Sequence, residues 1–290
     1  MPFDNASAPQ GETIASILVP CWNAVDRTQR CLESVLKWTS FPYEMIVVDN
    51  GSRDGTREFL SADFRRRGES SRRTTSGVLS RILLLRNARN RGFAKAINQA
   101  TARARGKYVV WLNNDAVVTP NWLERLVDCA EKDPAIGIVG PRVHRLGGPQ
   151  AVERVSYDGL GELALFSEAW GLRNAGCATD VPLLMGCCLC IKRDVLTRVG
   201  KVEEGFGLGN YEDYDFCLRA RIAGYKLAIA EDVFIHHDYH ASFQANGLNF
   251  ESENLASLEK FRDKWRHWRN SKGMESIAET LAAFKVGRKG

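Results

Sequence analysis

A doubly wound α/β domain with a mostly parallel sheet is the architecture this 290-residue chain specifies. Three observations point to it. Several short runs are apolar throughout, as strands covered on both faces must be. Between them lie segments whose apolar residues recur at helical spacing. Polar clusters stand where those strands end, and sheets of this kind bind ligands beyond the carboxyl ends of their strands.

Residues 16–20 (Ser-Ile-Leu-Val-Pro) form a short buried strand. Residues 25–37 follow as a helix, with Val25, Leu32, Val35 and Leu36 at helical spacing. Residues 45–48 are a second strand, stopped by Asp49-Asn50-Gly51-Ser52, and residues 81–85 a third. Phe93, Ala96, Ile97, Ala100 and Ala104 mark a second amphipathic helix, and residues 108–112 a fourth strand. Thr119 is placed to cap a third helix with Pro120 at its first position. Repeated β-α-β units make a doubly wound domain.

The second half alternates less cleanly. Residues 145–180 hold six glycines and read as long loops or short strands, and residues 181–191 as a buried strand or strand-turn. Residues 210–221 read as a helix with Asn210 at the N-cap, Asp213 at its third position and Gly224 ending it. Residues 226–230 are a strand, and residues 251–270 a helix with Leu255, Leu258, Phe261, Trp265 and Trp268 on one stripe.

Composition narrows the class. With 13 Phe, 7 Trp and 7 Tyr the chain can build a core, which excludes a disordered protein. No apolar run reaches the ~18 residues of a spanning helix. The first fifteen residues carry two acids and no Lys or Arg, unlike a signal peptide. The eight cysteines show no disulfide framework. Cys187-Cys188-Leu189-Cys190 contains a C-x-x-C, but it lies in an apolar run without a second pair at zinc spacing. Free thiols without a leader point to the cytoplasm. The net charge is +5, and residues 65–81 alone carry six Arg against one Glu. Their Ser, Thr and Gly neighbours make this stretch a solvated loop, or an electrostatic hand on an acidic acceptor or a membrane surface. Confinement to one loop speaks against a nucleic-acid binder.

Five clusters could carry chemistry. Asn113-Asn114-Asp115 follows the fourth strand, where a carboxylate among amides can hold a hard divalent cation or simply turn the chain. Asp49 to Asp54 stands where nucleotide-binding folds meet a ribose, or is an ordinary strand-to-helix turn. In the run from Asn90, Gly92 allows close backbone approach at a helix start, and the same run also suits a plain helix cap. Glu212-Asp213-Tyr214-Asp215 opens a helix, where acids suit the dipole or, in a cleft, a general base. His236-His237-Asp238-Tyr239-His240 gathers three of the five histidines, and a His after a strand can ligate a metal. Neither G-x-G-x-x-G nor a P-loop motif occurs after the first strand, against a dinucleotide dehydrogenase or an ATPase.

In order and spacing, these stretches resemble the inverting family 2 glycosyltransferases. The matching residues are Ile-Leu-Val-Pro-Cys-Trp-Asn at 17–23, Ile-Val-Val-Asp-Asn-Gly-Ser-Arg-Asp-Gly-Thr at 46–56, Asn-Arg-Gly-Phe-Ala at 90–94 and Leu-Asn-Asn-Asp at 112–115. They continue through 185–196 and 211–221 to the His-His segment leading to Ser242. The rhamnosyltransferase-like branch is the most similar.

The resemblance implies a GT-A fold and a set of roles. Pro20, Asn23, Asp49 and Ser52 would line the base and ribose pocket. Asn90, Gly92, Asn113 and Asn114 would border the nucleotide. Asp115 would bind Mn2+ or Mg2+ in the place of the family's D-x-D motif, although Asn113 stands where that motif begins with Asp. His237 matches the family's metal-binding histidine, or His236 if the register slips by one. Asp213 falls on the catalytic base with Glu212 beside it, and Gly186 and Cys187 face the acceptor.

The implied donor is a UDP- or dTDP-linked sugar, and the implied acceptor a glycan, lipid-linked or other hydroxyl. The catalytic domain is expected over residues 14–245, with 14–118 as the nucleotide-sugar half and 119–245 as the acceptor half. Residues 1–13 would be an extension and 246–290 a helical segment that packs on the domain or lies on a membrane. Two rivals are a sugar nucleotidyltransferase, which needs a Gly-rich basic loop where Pro-Cys-Trp-Asn stands, and a non-catalytic module of the same fold.

Overall fold

The computed structural model describes residues 15–64, 79–144, 147–238 and 245–266. The first half follows the expected alternation: β1 (Ala15–Cys21), α1 (Val25–Trp38), β2 (Tyr43–Asp49), a short helix α2 (Thr56–Glu58) running into a π-helical turn (Phe59–Phe64), β3 (Leu79–Arg86), α3 (Phe93–Thr101) and β4 (Tyr108–Leu112). The two-residue β5 (Ala116–Val117), α4 (Trp122–Glu131), β6 (Ile136–His144), β7 (Ala151–Val152), α5 (Leu163–Arg173), β8 (Ala178–Asp180), β9 (Cys188–Lys192) and α6 (Arg193–Val199) come next. The chain closes with α7 (Glu212–Ile222), β10 (Lys226–His237) and α8 (Phe250–Trp265).

The strands form one sheet in the order β3-β2-β1-β4-β9-β6-β10-β5. β1 pairs in parallel with both β2 and β4, placing Ile17 beside Met45 and Val110. β9 runs antiparallel between β4 and β6, and β10 is again parallel to β6. The parallel majority is thus interrupted where β9 joins the two halves. Each inner strand is buried on both faces. Ile17 and Val19 face a core shared with Leu32 of α1 and Trp122 of α4, while Leu18 faces one shared with Ile97 of α3, Phe216 of α7 and Phe261 of α8.

Several expectations are corrected. β6 lies where the sequence predicts no element, and α5 is a helix where it predicts long loops or short strands. α7 opens after Tyr211 (φ +69°), so Asn210 (φ +73°) lies outside it and Asp213 is its second residue. Gly224 (φ +95°) does end that helix. The third helix starts at Trp122, because the Thr119 hydroxyl donates to the Phe234 carbonyl (2.6 Å) instead of capping. On α8 Ser257, Phe261 and Trp265 are buried but Leu255 is exposed, so the stripe turns away from Leu255. Residues 65–78 of the Arg-rich stretch, together with Tyr239, His240, Ser242 and Trp268, lie outside the described residues. Arg81 does not belong to a loop, for it sits in β3 and pairs with the buried Glu44. Among the described residues no helix is long and apolar enough to cross a membrane.

Candidate active site

The strand order reverses direction beside β1, with β2 and β3 on one side and β4 on the other. Such a switch point leaves a crevice past the strand ends. Asn50, just after β2, organises it. Its amide donates to Asn90 Oδ1 (2.7 Å), and its carbonyl accepts from Asn87 Nδ2 (3.0 Å) and the Arg91 N–H (3.1 Å). Gly92 (φ +88°) is pressed against the far half: a Cβ there would stand 2.3 Å from the Gly207 carbonyl oxygen. After β4 the Asn113 carbonyl accepts from Ala116 N–H (3.1 Å), turning Asn114 and Asp115 inward.

β10 then brings the chain's end to this turn. It pairs antiparallel with β5, setting His237 opposite Ala116. Adjacent residues of a strand face opposite sides. His237 Nε2 stands 3.1 Å from Asp115 Oδ1, with both residues buried. His236 faces away: its ring nitrogens meet the Tyr157 hydroxyl (2.7 Å) and Asp238 (3.1 Å), and its ring stacks on His144.

Opposite them lies the start of α7. Asp213 accepts from the Gly186 N–H (2.7 Å) and the Tyr214 N–H (2.8 Å). Burial pushes its carboxyl above the usual carboxylate range, and those backbone donors partly offset the rise. Glu212 is pushed higher still, by burial and by the Asp213 charge. Gly186 lies tight against the Asp213 carboxylate, since a Cβ there would stand 3.0 Å from Asp213 Cβ and press on it.

A cavity of about 240 Å3 joins these features. Pro20, Asn90, Asn113, Asn114, Asp115 and His237 line it together with Gly186, Cys187, Glu212 and Asp213. Asp115 and Asp213 therefore share one hollow. Four expected residues do not line it. Asp49 accepts from the Ser52 N–H (2.9 Å), Ser52 Oγ accepts from the Asn23 N–H (2.9 Å), and Asn23 binds Asn246 and the Arg53 N–H. These three shape the loops behind the wall, as Gly92 does. Burial pushes the Cys187 thiol up, so it stays protonated near neutral pH. Trp22, Asn50, Phe93, Met185, Tyr211, Tyr214, Phe250 and Asn254 also line the cavity. Trp22 and Asn50 sat within readable motifs; Phe250 and Asn254, four apart on α8, carried no chemical signal.

Asp115 Oδ1 is buried and accepts no hydrogen bond, with an imidazole nitrogen 3.1 Å away. An oxygen and a nitrogen so placed suit a borderline-hard divalent cation whose other positions remain open to diphosphate and water. Among the described residues no three His, Cys, Asp or Glu side chains cluster as a closed metal cage.

The chain is similar to known proteins in sequence and in fold. The protein y4gI of Sinorhizobium fredii, uncharacterized, is 28% identical over 249 residues, which are 80% of this chain and 25% of that one. Glycosyltransferase AglE of Haloferax volcanii is 28% identical over 227 residues, 77% of this chain and 66% of its own. The chain thus spans a quarter to two thirds of the length of these relatives. The crystal structure of GalNAc-T7 with UDP, GalNAc and Mn2+ superposes with a TM-score of 0.60 at 17% identity, covering 94% of this chain and 58% of that one. The shared architecture is the GT-A fold. Residues 16–200 match the family described as glycosyl transferase family 2, well over half of the chain, and the protein belongs to that family.

Proposed function

We propose that this protein is a metal-dependent, inverting glycosyltransferase that moves a sugar from a nucleoside-diphosphate donor to an acceptor hydroxyl, in polysaccharide or glycoconjugate synthesis. One observation carries the reading: the Asp115–His237 pair and Asp213 line a single cavity. Asp115 and His237 would hold Mn2+ or Mg2+, which when bound neutralises the charge growing on the leaving diphosphate. Pro20, Asn90, Asn113 and Asn114 border the donor, with Asn50 holding the Asn90 loop in place.

Asp213 accepts the proton of the acceptor hydroxyl. Its two backbone hydrogen bonds fix the carboxylate, and its burial raises its basicity toward neutral pH. One base acting on the attacking hydroxyl, across from the leaving group, gives direct displacement and inverted configuration. The UDP and Mn2+ bound in the structural neighbour GalNAc-T7 support a nucleotide donor and a cation. UDP or dTDP is the nucleotide proposed, and the motif resemblance favours the rhamnosyltransferase-like branch. The eight cysteines are free thiols, seven of them buried, which suits a reducing cytoplasm; a lipid-linked acceptor would bring the enzyme to the inner membrane face. Thermal-shift screening of sugar nucleotides with Mn2+, followed by donor hydrolysis with and without chelator, tests the reading. Stabilisation by none of them, or hydrolysis indifferent to chelator, would overturn it.

A further inference from the structure

Three acids occupy the first turn of α7, and each is answered differently. Asp215 is fully buried and meets Arg219 Nε (2.8 Å), Lys264 Nζ (2.8 Å) and Trp265 Nε1 (3.0 Å). Asp213 meets two backbone N–H groups. Glu212 is 6% exposed and lines the cavity, and its Oε2 receives no hydrogen bond. Among the described residues no Arg, Lys or His pairs with it. Its charged neighbours are Asp213 and Asp215 on its own helix, and the elements across the cavity bring it no cation.

The one donor acting on its carboxylate is its own backbone N–H, which burial and the neighbouring acids outweigh; a buried carboxylate with so little compensation takes up a proton instead. The helix dipole favours an anion at this turn, but the N–H of Tyr214 serves Asp213. Once protonated, a carboxyl becomes a hydrogen-bond donor.

We propose that Glu212 is a neutral hydrogen-bond donor in the cavity wall, offering its O–H to an oxygen of the bound sugar and leaving Asp213 as the only anion on that wall. The proposal rests on the glycosyltransfer reading and adds to it a second, non-basic carboxyl. No proton leaves Glu212 during turnover. It selects substrates that present an oxygen lone pair at that point, and it spares Asp213 the repulsion of an adjacent charge.

Two measurements test this. Infrared difference spectra of wild type minus Glu212→Gln at neutral pH should show the carbonyl band of a protonated carboxyl, sensitive to D2O. Mn2+-supported turnover of the sugar nucleotide found by screening should fall about tenfold in Glu212→Ala, the scale of one lost hydrogen bond. Glu212→Gln, whose amide N–H also donates, should recover most of that loss. Absence of the band, full activity in the Ala variant, or a Gln variant as inactive as Asp213→Asn would each overturn the proposal. If the wild-type protein turns over no sugar nucleotide, the glycosyltransfer reading fails, while the infrared band still decides where the proton is.

Discussion

Asp115 and Asp213 line the same cavity, yet their surroundings differ in kind. Asp115 faces an imidazole and keeps one oxygen without a hydrogen bond. Asp213 sits beside a second carboxyl, with both its oxygens held by backbone N–H groups. The first arrangement gathers electron pairs that a cation can use. The second takes a carboxyl out of water, which raises its proton affinity. On the proposed function, two carboxylates of ordinary chemistry would become a cation grip and a proton acceptor through their neighbours alone.

The sharpest way to break this contrast is Asp213→Asn. Turnover should fall about 10^2- to 10^4-fold, the contribution of a general base, while calorimetric donor binding survives. Normal turnover would remove Asp213 from the mechanism. Next, Asp115→Asn or His237→Gln should cost on the order of a hundredfold in kcat/KM and weaken donor binding in Mn2+, since the cation's effect reaches several kcal/mol. The reverse pattern, with donor binding lost at Asp213 and kept at Asp115, would exchange the two ends.

A smaller effect is expected from Gly186→Ala. Its Cβ would stand 3.1 Å from Asp213 Oδ2, displacing the carboxylate and lowering kcat about tenfold with the fold intact. The pH profile refines the proton end. A base must be ionised to work, so turnover should rise with pH through the elevated Asp213 value and fail below it. An acid limb at the position of an ordinary solvated aspartate would mean that burial does not tune it. Lys264→Ala should matter least to chemistry. It removes one of two cations on Asp215, costing about 1–2 kcal/mol of thermal stability with near-normal kcat, because Arg219 and Trp265 remain.

How much of this was legible depended on what surrounds each element. β1, β2 and β4 are buried on both faces, so their apolar runs announce them. β6 is equally buried but carries Gly137 and Gly140, which read as breaks. Their missing side chains leave space for Val195 and Tyr225 at one position and Gln150 at the other. α5 hid for a different reason: Phe166 and Trp170 pack on Phe234 while Leu165 and Leu172 face solvent at 72% and 77%, so no apolar stripe emerges. Asp115, Asp213 and the paired histidines were visible as motifs. Which histidine turns inward depends on the one-residue phase of β10 against β5, and periodicity within the chain does not encode that phase. Asn23, Asp49 and Ser52 carry the right motif yet spend their polar groups on one another and on neighbouring loops, so a motif located the corner without revealing which side chains reach its hollow.

β10 enters beside β6 at Lys226 and delivers its imidazole only at residue 237. A polypeptide ending at residue 225 would own Asp115, Glu212 and Asp213 but lack the His237 imidazole that stands beside Asp115. On the proposed function, any fragment that stops short of β10 should therefore be inert toward donor, so that broken chains would not squander activated sugar.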